Sequence, residues 1–494
     1  MNPPATDPPD STLDPENWSE VRRLGHELLD DLIDQLSTVG ERPAWTPVPP
    51  EVKVRLDQPA ARLPADFSDV LDDLRRDILP YATGNIHPRW FGWVHGTGTV
   101  EGALAELVAG FMNCNVGGRD HGAVYVERQV IRWLADMFGY PAESSGLLVS
   151  GTSMATILGL AVARENVAPG EMRRQGVSAA PGPLVSYASD GAHVSIRKAL
   201  ELLGLGGDSL RRVPADRVSG LNPVALEQMI ERDREAGLHP FCVVGTAGSI
   251  TTGAIDDLNA LADISARHGL WFHVDAAFGG ALMLSERLRP RLAGIERADS
   301  LAFDLHKWMH VPYDAGCVLV RDAEAHRSTF SADRNYLSRF ERGTGAGNPW
   351  FTDFGPELSR GFRALKVWVT LRTHGLDRLG AMVEKNCEQA AWLAARIKES
   401  ESFHLAAPTS LNIVCFQAEV PGGARIDSDE LNREILMRVQ ERGIAVPSSA
   451  EIDGRLCIRV AITNHRTQRA DLDAFLDAIE AVSREIVGGV VGGN

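Results

Sequence analysis

The sequence predicts an α/β chain built on a largely parallel sheet, followed by a smaller α+β unit. Three observations carry that prediction. Between about residues 86 and 375, short uninterrupted apolar runs alternate with amphipathic helical patterns, as strands buried on both faces and their crossover helices do. Beyond Gly375 the alternation gives way to one long helical pattern, two short strands and a closing helix. Ahead of residue 86 stand an amphipathic helix and a proline-studded stretch that cannot build a core alone. At 494 residues the chain exceeds the size of one ordinary core. The expected division is residues 1–85, a disordered tail, helix and dimerisation arm; 86–375, a large α/β domain; and 376–494, a small C-terminal α+β domain.

The elements follow in order. Residues 1 to about 15 are rich in Pro, Asp, Ser and Thr and are expected to be disordered until Asp14 or Ser19 caps the first helix. That helix, residues 17–36, gathers Val21, Leu24, Leu28, Leu29, Ile33 and Leu36 on one face, and the arm at 43–64 follows. The apolar face needs a partner, and a second subunit supplies one. Strands are expected at Gly146-Leu147-Leu148-Val149, Leu184-Val185-Ser186-Tyr187, Phe241-Cys242-Val243-Val244, residues 270–274, Ser300-Leu301-Ala302-Phe303 and Cys317-Val318-Leu319-Val320. The later unit reads as a helix over 379–397, strands near 413–416 and 457–462, a helix from Ala470 and a fraying glycine-rich end at 488–494.

Composition narrows the function. A formal charge of −16 would be repelled by nucleic acid and by an anionic membrane. No apolar run approaches the roughly 18 residues a membrane span needs, and the amino terminus opens on prolines and acids, so the cytoplasm is the default compartment. The six cysteines stand singly with no CxxC spacing; they read as buried free thiols, and no metal is expected. A small-molecule enzyme fits.

Two segments carry the chemistry: His273-Val274-Asp275-Ala276-Ala277 and Asp304-Leu305-His306-Lys307-Trp308. Pyridoxal 5'-phosphate needs a buried acid to keep its pyridine nitrogen protonated, and Asp275 ends a strand-like apolar run. It also needs an amine to hold its aldehyde as a Schiff base, and Lys307 sits just past another strand. Ser150-Gly151-Thr152-Ser153 follows a strand and opens a helix, where backbone N–H groups and hydroxyls meet an anion such as the cofactor phosphate.

These segments, with His87-Pro88-Arg89-Trp90-Phe91-Gly92, Ser189-Asp190-Gly191-Ala192-His193, Gly253-Ala254-Ile255-Asp256 and Arg363-Ala364-Leu365-Lys366-Val367-Trp368, give a chain that resembles the group II pyridoxal-phosphate-dependent amino acid decarboxylases over most of its length. The resemblance implies fold type I with a mostly parallel seven-stranded sheet, and an interwoven homodimer with active sites at the subunit interface. It places phosphate contacts at Thr152 and Ser153, stacks His193 on the ring, and sets Ser249, Ala277 and His306 beside the cofactor, with Thr246 nearby. It implies a substrate pocket of Trp93, His95, Thr97, Arg119 and Phe351, Arg119 coming from the partner chain.

Departures from the family pattern matter too. Asp304 stands where animal relatives have Asn, and a carboxylate beside a phosphate is unfavourable unless protonated, turned away or paired, with His306 as the expected partner. The family's loop tyrosine, which returns a proton after carbon dioxide leaves, falls on Phe351 by a gapless count from Gly361-Phe362-Arg363, while Tyr336 lies in the same loop. Phenylalanine gives no proton; in relatives a Phe there accompanies oxidative decarboxylation-deamination to an aldehyde, although lid packing explains it equally. The expected reaction is decarboxylation of an aromatic or large apolar L-amino acid to its amine, with Lys307, Asp275, His193 and His306 as catalytic residues. The competing classes are the aldehyde-forming reaction, an aminotransferase, for which Arg459 in a carboxy-terminal strand stands, and a silenced binding protein.

Overall fold

The computed structural model describes residues 12–216, 220–331, 340–420 and 426–491. Seven strands form the main sheet: β1 (Ser145–Val149), β2 (Leu184–Ser189), β3 (Leu210–Val213), β4 (His239–Thr246), β5 (Trp271–Asp275), β6 (Ser300–Asp304) and β7 (Gly316–Val320). Their spatial order is β1-β7-β6-β5-β4-β2-β3. β7 runs antiparallel to both of its neighbours, β1 and β6, and the remaining pairs are parallel. Apart from the short edge strand β3, these strands are buried almost throughout, because helices cover both faces; that is why each reads as a continuous apolar run. The edge strand was not expected from the sequence, since Arg211 and Arg212 interrupt its apolar character.

The first helix, α1 (Trp18–Ser37), is capped by Asn17, whose side-chain oxygen accepts from the N–H groups of Ser19 and Glu20. This corrects the expectation of Asp14 or Ser19: the strongest capping type lies immediately before the first helical residue. The arm contains a short helix, Pro50–Leu56, begun at a proline that needs no N–H there. Next come α2 (Val100–Met112), α3 (Gly122–Met137), α4 (Thr152–Glu165) and α5 (Val194–Leu202). The long helix α6 spans Arg363–Glu399, so it begins well before the expected 379, and it breaks at Gly375, whose φ of 70° suits glycine.

A second, antiparallel sheet has the order β8 (Phe403–Leu405), β9 (Ile413–Ala418), β11 (Arg455–Ala461), β10 (Ser448–Ile452). It forms its own core with the later part of α6 and the closing helix α7 (Arg469–Val491). Phe91 belongs to that core, and backbone bonds from Phe91 to Val446 and from Ala461 to Phe91 tie the 87–97 segment to the small sheet. No helix among the described residues is long and apolar enough to cross a membrane. The cysteines are free thiols, four buried and two half-buried, so Cys114 and Cys387 are less enclosed than expected.

Candidate active site

The carboxyl ends of the parallel strands converge on one cavity of about 480 Å³. Open α/β sheets bind ligands there because loops and helix N-termini meet at that edge. Asp275 ends β5 and is 4% exposed. Burial pushes its carboxyl upward, opposed by the Lys307 amine and by the Ala277 N–H, which donates to Oδ1 at 3.0 Å. Thr246, paired with Asp275 in the β4–β5 register, contributes a buried Oγ1 that has no partner among the described residues.

Lys307 follows the end of β6 in a turn that folds its amine back over Asp304, with Nζ 2.8 Å from Oδ2. The other oxygen, Oδ1, accepts from the Thr152 N–H at 2.6 Å. His306, expected to balance Asp304, lies farther off, with Nε2 3.8 Å from Oδ1. The correction has a physical reason: His306 Nδ1 accepts from the Ala315 N–H at 3.0 Å, its ring packs on Tyr313 at 4.2 Å, and burial lowers its basicity. Lys307 is the cation that Asp304 meets.

Thr152 and Ser153 open α4 after Gly151. The Thr152 hydroxyl is buried without a partner among the described residues, whereas Ser153 is exposed. His193 caps α5: its Nδ1 accepts from the Ser195 N–H at 3.2 Å and lies 2.7 Å from Ser195 Oγ, and burial lowers its basicity. Ser249 Oγ lies 3.2 Å from Thr252 Oγ1 and also accepts from the Ala254 N–H. Thr152, Ser153, His193, Ser195 and Ser249 line the cavity, together with Ala277.

At the mouth, Trp93 and His95 stack at 5.6 Å and the edge of Tyr313 faces His95. Trp93 has a φ of 51°, a strained value for a bulky residue. It is held from the small sheet: Ser448 Oγ accepts its N–H, and Arg459 donates to its carbonyl at 3.0 Å. Arg459 also donates to Thr251 O and Ser448 Oγ, and burial lowers its pKa to about 10. It therefore braces the cavity mouth through backbone carbonyls. Sequence reasoning missed Tyr313, which belongs to no motif; its one signal was a tyrosine six residues after Lys307.

Three expected pocket residues do not line this cavity. Thr97 turns into the interior toward His310 Nδ1, 3.4 Å away. Arg119 is exposed, and Asp120 accepts from the Tyr125 hydroxyl at 2.6 Å. Phe351 is 6% exposed within one chain and packs beneath the Arg360 guanidinium, 5.0 Å from its ring centre. Tyr336 lies outside the described residues. Among the described residues, no group of three or more metal-ligating side chains is placed to hold an ion.

Residues 49–419 match the model of the pyridoxal-dependent decarboxylase conserved domain. An aromatic-L-amino-acid decarboxylase of Bacillus atrophaeus is 31% identical, with 94% of this chain and 96% of that protein covered. A phenylacetaldehyde synthase of Petunia hybrida is 28% identical, with 94% and 93% covered. The crystal structure of Oryza sativa TDC with PLP and tryptamine superposes with a TM-score of 0.87 at 26% identity, covering 96% of this chain and 100% of that one.

Proposed function

The chain belongs to the pyridoxal-dependent decarboxylases, carboxy-lyases of fold type I that work with pyridoxal 5'-phosphate, and from that premise we propose that it converts an aromatic or large apolar L-amino acid into its amine and carbon dioxide. One observation carries the substrate class. The cavity mouth is walled by Trp93, His95, Tyr313 and Ile250, and among the described residues Lys307 is the only lysine or arginine lining it. Lys307 is already paired with Asp304, so the chain's own wall offers an acidic side chain no free cation, and Arg119, which the proposed partner would bring, stands next to the carboxylate of Asp120.

The residues fit the cofactor. Buried hydroxyls at Thr152 and Thr246 in the wall have no partner among the described residues, and each would leave a costly unmet group without a ligand. Thr152 and Ser153, at the α4 N-terminus, would take the phosphate; Asp275 the pyridine nitrogen; Lys307 the aldehyde; His193, Ser249, Ala277 and His306 would flank the ring. When bound, pyridoxal phosphate supplies the electron sink for the bond that breaks. Asp275 keeps a proton at the ring nitrogen, and its burial makes that pairing strong. Lys307 releases the substrate position and reclaims it after turnover. His193, fixed by Ser195, covers one face and limits water. The proton returned to the α carbon comes from Tyr336 or from a water held by His193 or His306. Phe351 packs in the chain's own core, which supports a packing role and favours Tyr336 as the loop's proton donor.

Within the same proposal the protein is a homodimer with each cavity completed by its partner, which accounts for Arg119 lying exposed outside its own cavity. The proposed division into an arm to residue 85, a large domain to 375 and a small domain thereafter is supported by the break at Gly375 and by the small sheet's own core, while Leu379, Val383 and the inward side chains of β9 and β11 pack in the large core.

The test is a panel of L-amino acids given to the cofactor-loaded enzyme, with carbon dioxide, oxygen uptake, amine and aldehyde measured together. Amine without oxygen uptake, from aromatic or large apolar substrates, is the expected result. Aldehyde with oxygen uptake would install the second reading, and activity confined to Glu or Asp would overturn the substrate class.

A further inference from the structure

Asp304 sits where a phosphate should be least comfortable. Its buried carboxylate ends β6, with Oδ2 2.8 Å from Lys307 Nζ and Oδ1 accepting from the Thr152 N–H at 2.6 Å. That N–H belongs to the first turn of α4, where unpaired backbone donors and the helix dipole attract an anion. One carboxylate thus engages both the amine and the anion-binding turn that the cofactor requires.

The surroundings leave this carboxylate little alternative. A Cβ on Gly316 would stand 2.9 Å from Oδ1 and one on Gly151 3.4 Å, so two glycines make the room it occupies. The charged and titratable groups facing it are His306 in its own turn, Tyr313, Asp275 on β5, His193 at the cap of α5 and Lys307. Burial drives both histidines toward their neutral forms, and Asp275 is a like charge. Lys307 alone balances it.

We propose that Asp304 is a place-holding anion: it engages the α4 N-terminus and the Lys307 amine, the two groups the cofactor needs, so that the cofactor competes with it for both. The proposal rests on the reading that the phosphate is held at Thr152 and Ser153. It has a consequence for selectivity between cofactor forms. Pyridoxal carries the same aldehyde without the phosphate, so releasing Lys307 burdens both molecules, while contest for the helix N-terminus burdens only the phosphate ester.

The experiment measures the dissociation constants of pyridoxal 5'-phosphate and of pyridoxal, by visible absorbance, on the full chain freed of cofactor. Parent, Asp304→Asn and Thr152→Ala proteins are compared. Removing a like charge at a site of intermediate dielectric should raise the preference for the phosphate ester about tenfold or more in Asp304→Asn, while Thr152→Ala should lower it. If Thr152→Ala lowers the preference and Asp304→Asn leaves or lowers it, Asp304 is no competitor and the proposal falls while the phosphate reading stands. An unchanged preference in Thr152→Ala removes the phosphate reading and the proposal with it. Should Asp304→Asn lose its near-ultraviolet circular dichroism, Asp304→Ser carries the same comparison; loss of the fold in both would make Asp304 a folding residue and overturn the proposal.

Discussion

The meeting of Asp275 and Lys307 was legible in the sequence: each stands at or just past the end of an apolar strand, and both line one cavity. A carboxylate at the end of an apolar strand is buried against its own preference for water, and the structure keeps it within the field of the Lys307 amine. The surroundings of Phe351 were not legible in the same way. Counting residues across a loop assumes constant loop length, whereas packing decides which side chain the core takes up, and here it takes Phe351. Replacing Tyr336 by Phe should lower amine formation by about 10²–10⁴-fold, the usual worth of a positioned proton donor, with part of the residual turnover diverted to aldehyde and oxygen uptake. Phe351→Leu should leave the amine-to-aldehyde ratio unchanged and cost only stability. The opposite pattern in the two variants would return the switch to Phe351. Lys307→Ala should prevent fixation of the cofactor to the chain by borohydride; labelled protein from that variant would remove Lys307 from its role. Thr97 teaches the same lesson at shorter range: it lies in the pocket-forming segment, yet its hydroxyl turns toward His310.

Among the elements, the buried strands were legible because a segment covered on both faces must be apolar throughout, and the helices because their apolar positions repeat. Edge strand β3 and the early start of α6 were hidden, the first by arginines on an open edge, the second by the break at Gly375. Invisible too was the anchor joining α3, β1 and the end of the loop before α6. Arg360, fully buried, donates to Glu127, to Leu148 O and to Val116 O, while its guanidinium covers Phe351. Each partner lies more than two hundred residues from Arg360 in sequence, so no local pattern reveals the anchor. Glu127→Ala would leave a buried guanidinium without its counter-ion, and the expected loss is about 3–5 kcal/mol of stability. Urea denaturation measures it. A midpoint unchanged from the parent protein would mean that the pair is solvated in solution and anchors nothing.

For the whole molecule, a single chain leaves apolar surface that its own fold does not use. The sequence placed the need for a partner on α1, where Leu32 and Ile33 do remain exposed. It did not single out α2, whose Leu104, Leu107, Val108, Phe111 and Met112 are also exposed, Phe111 to 85%. A row of large side chains open to water on one helix marks an interaction surface, since monomers rarely leave such a patch uncovered. The two helices flank one apolar groove, lined by Leu28, Leu29 and Leu36 from α1 and Leu104 and Leu107 from α2, so a partner covering one reaches the other. In the proposed homodimer the occupant is a second copy of the chain, which would also bring Arg119 toward a cavity. Phe111→Asp places a charge on that surface without touching any cavity residue. Light scattering should give about twice the 53.6 kDa chain mass for the parent protein and a shift toward the single-chain mass for the variant. Activity should fall with the shift and recover at higher protein concentration, because a site shared between subunits is rebuilt by mass action. A parent protein that stays monomeric and fully active would remove the dimer and the shared cavity together.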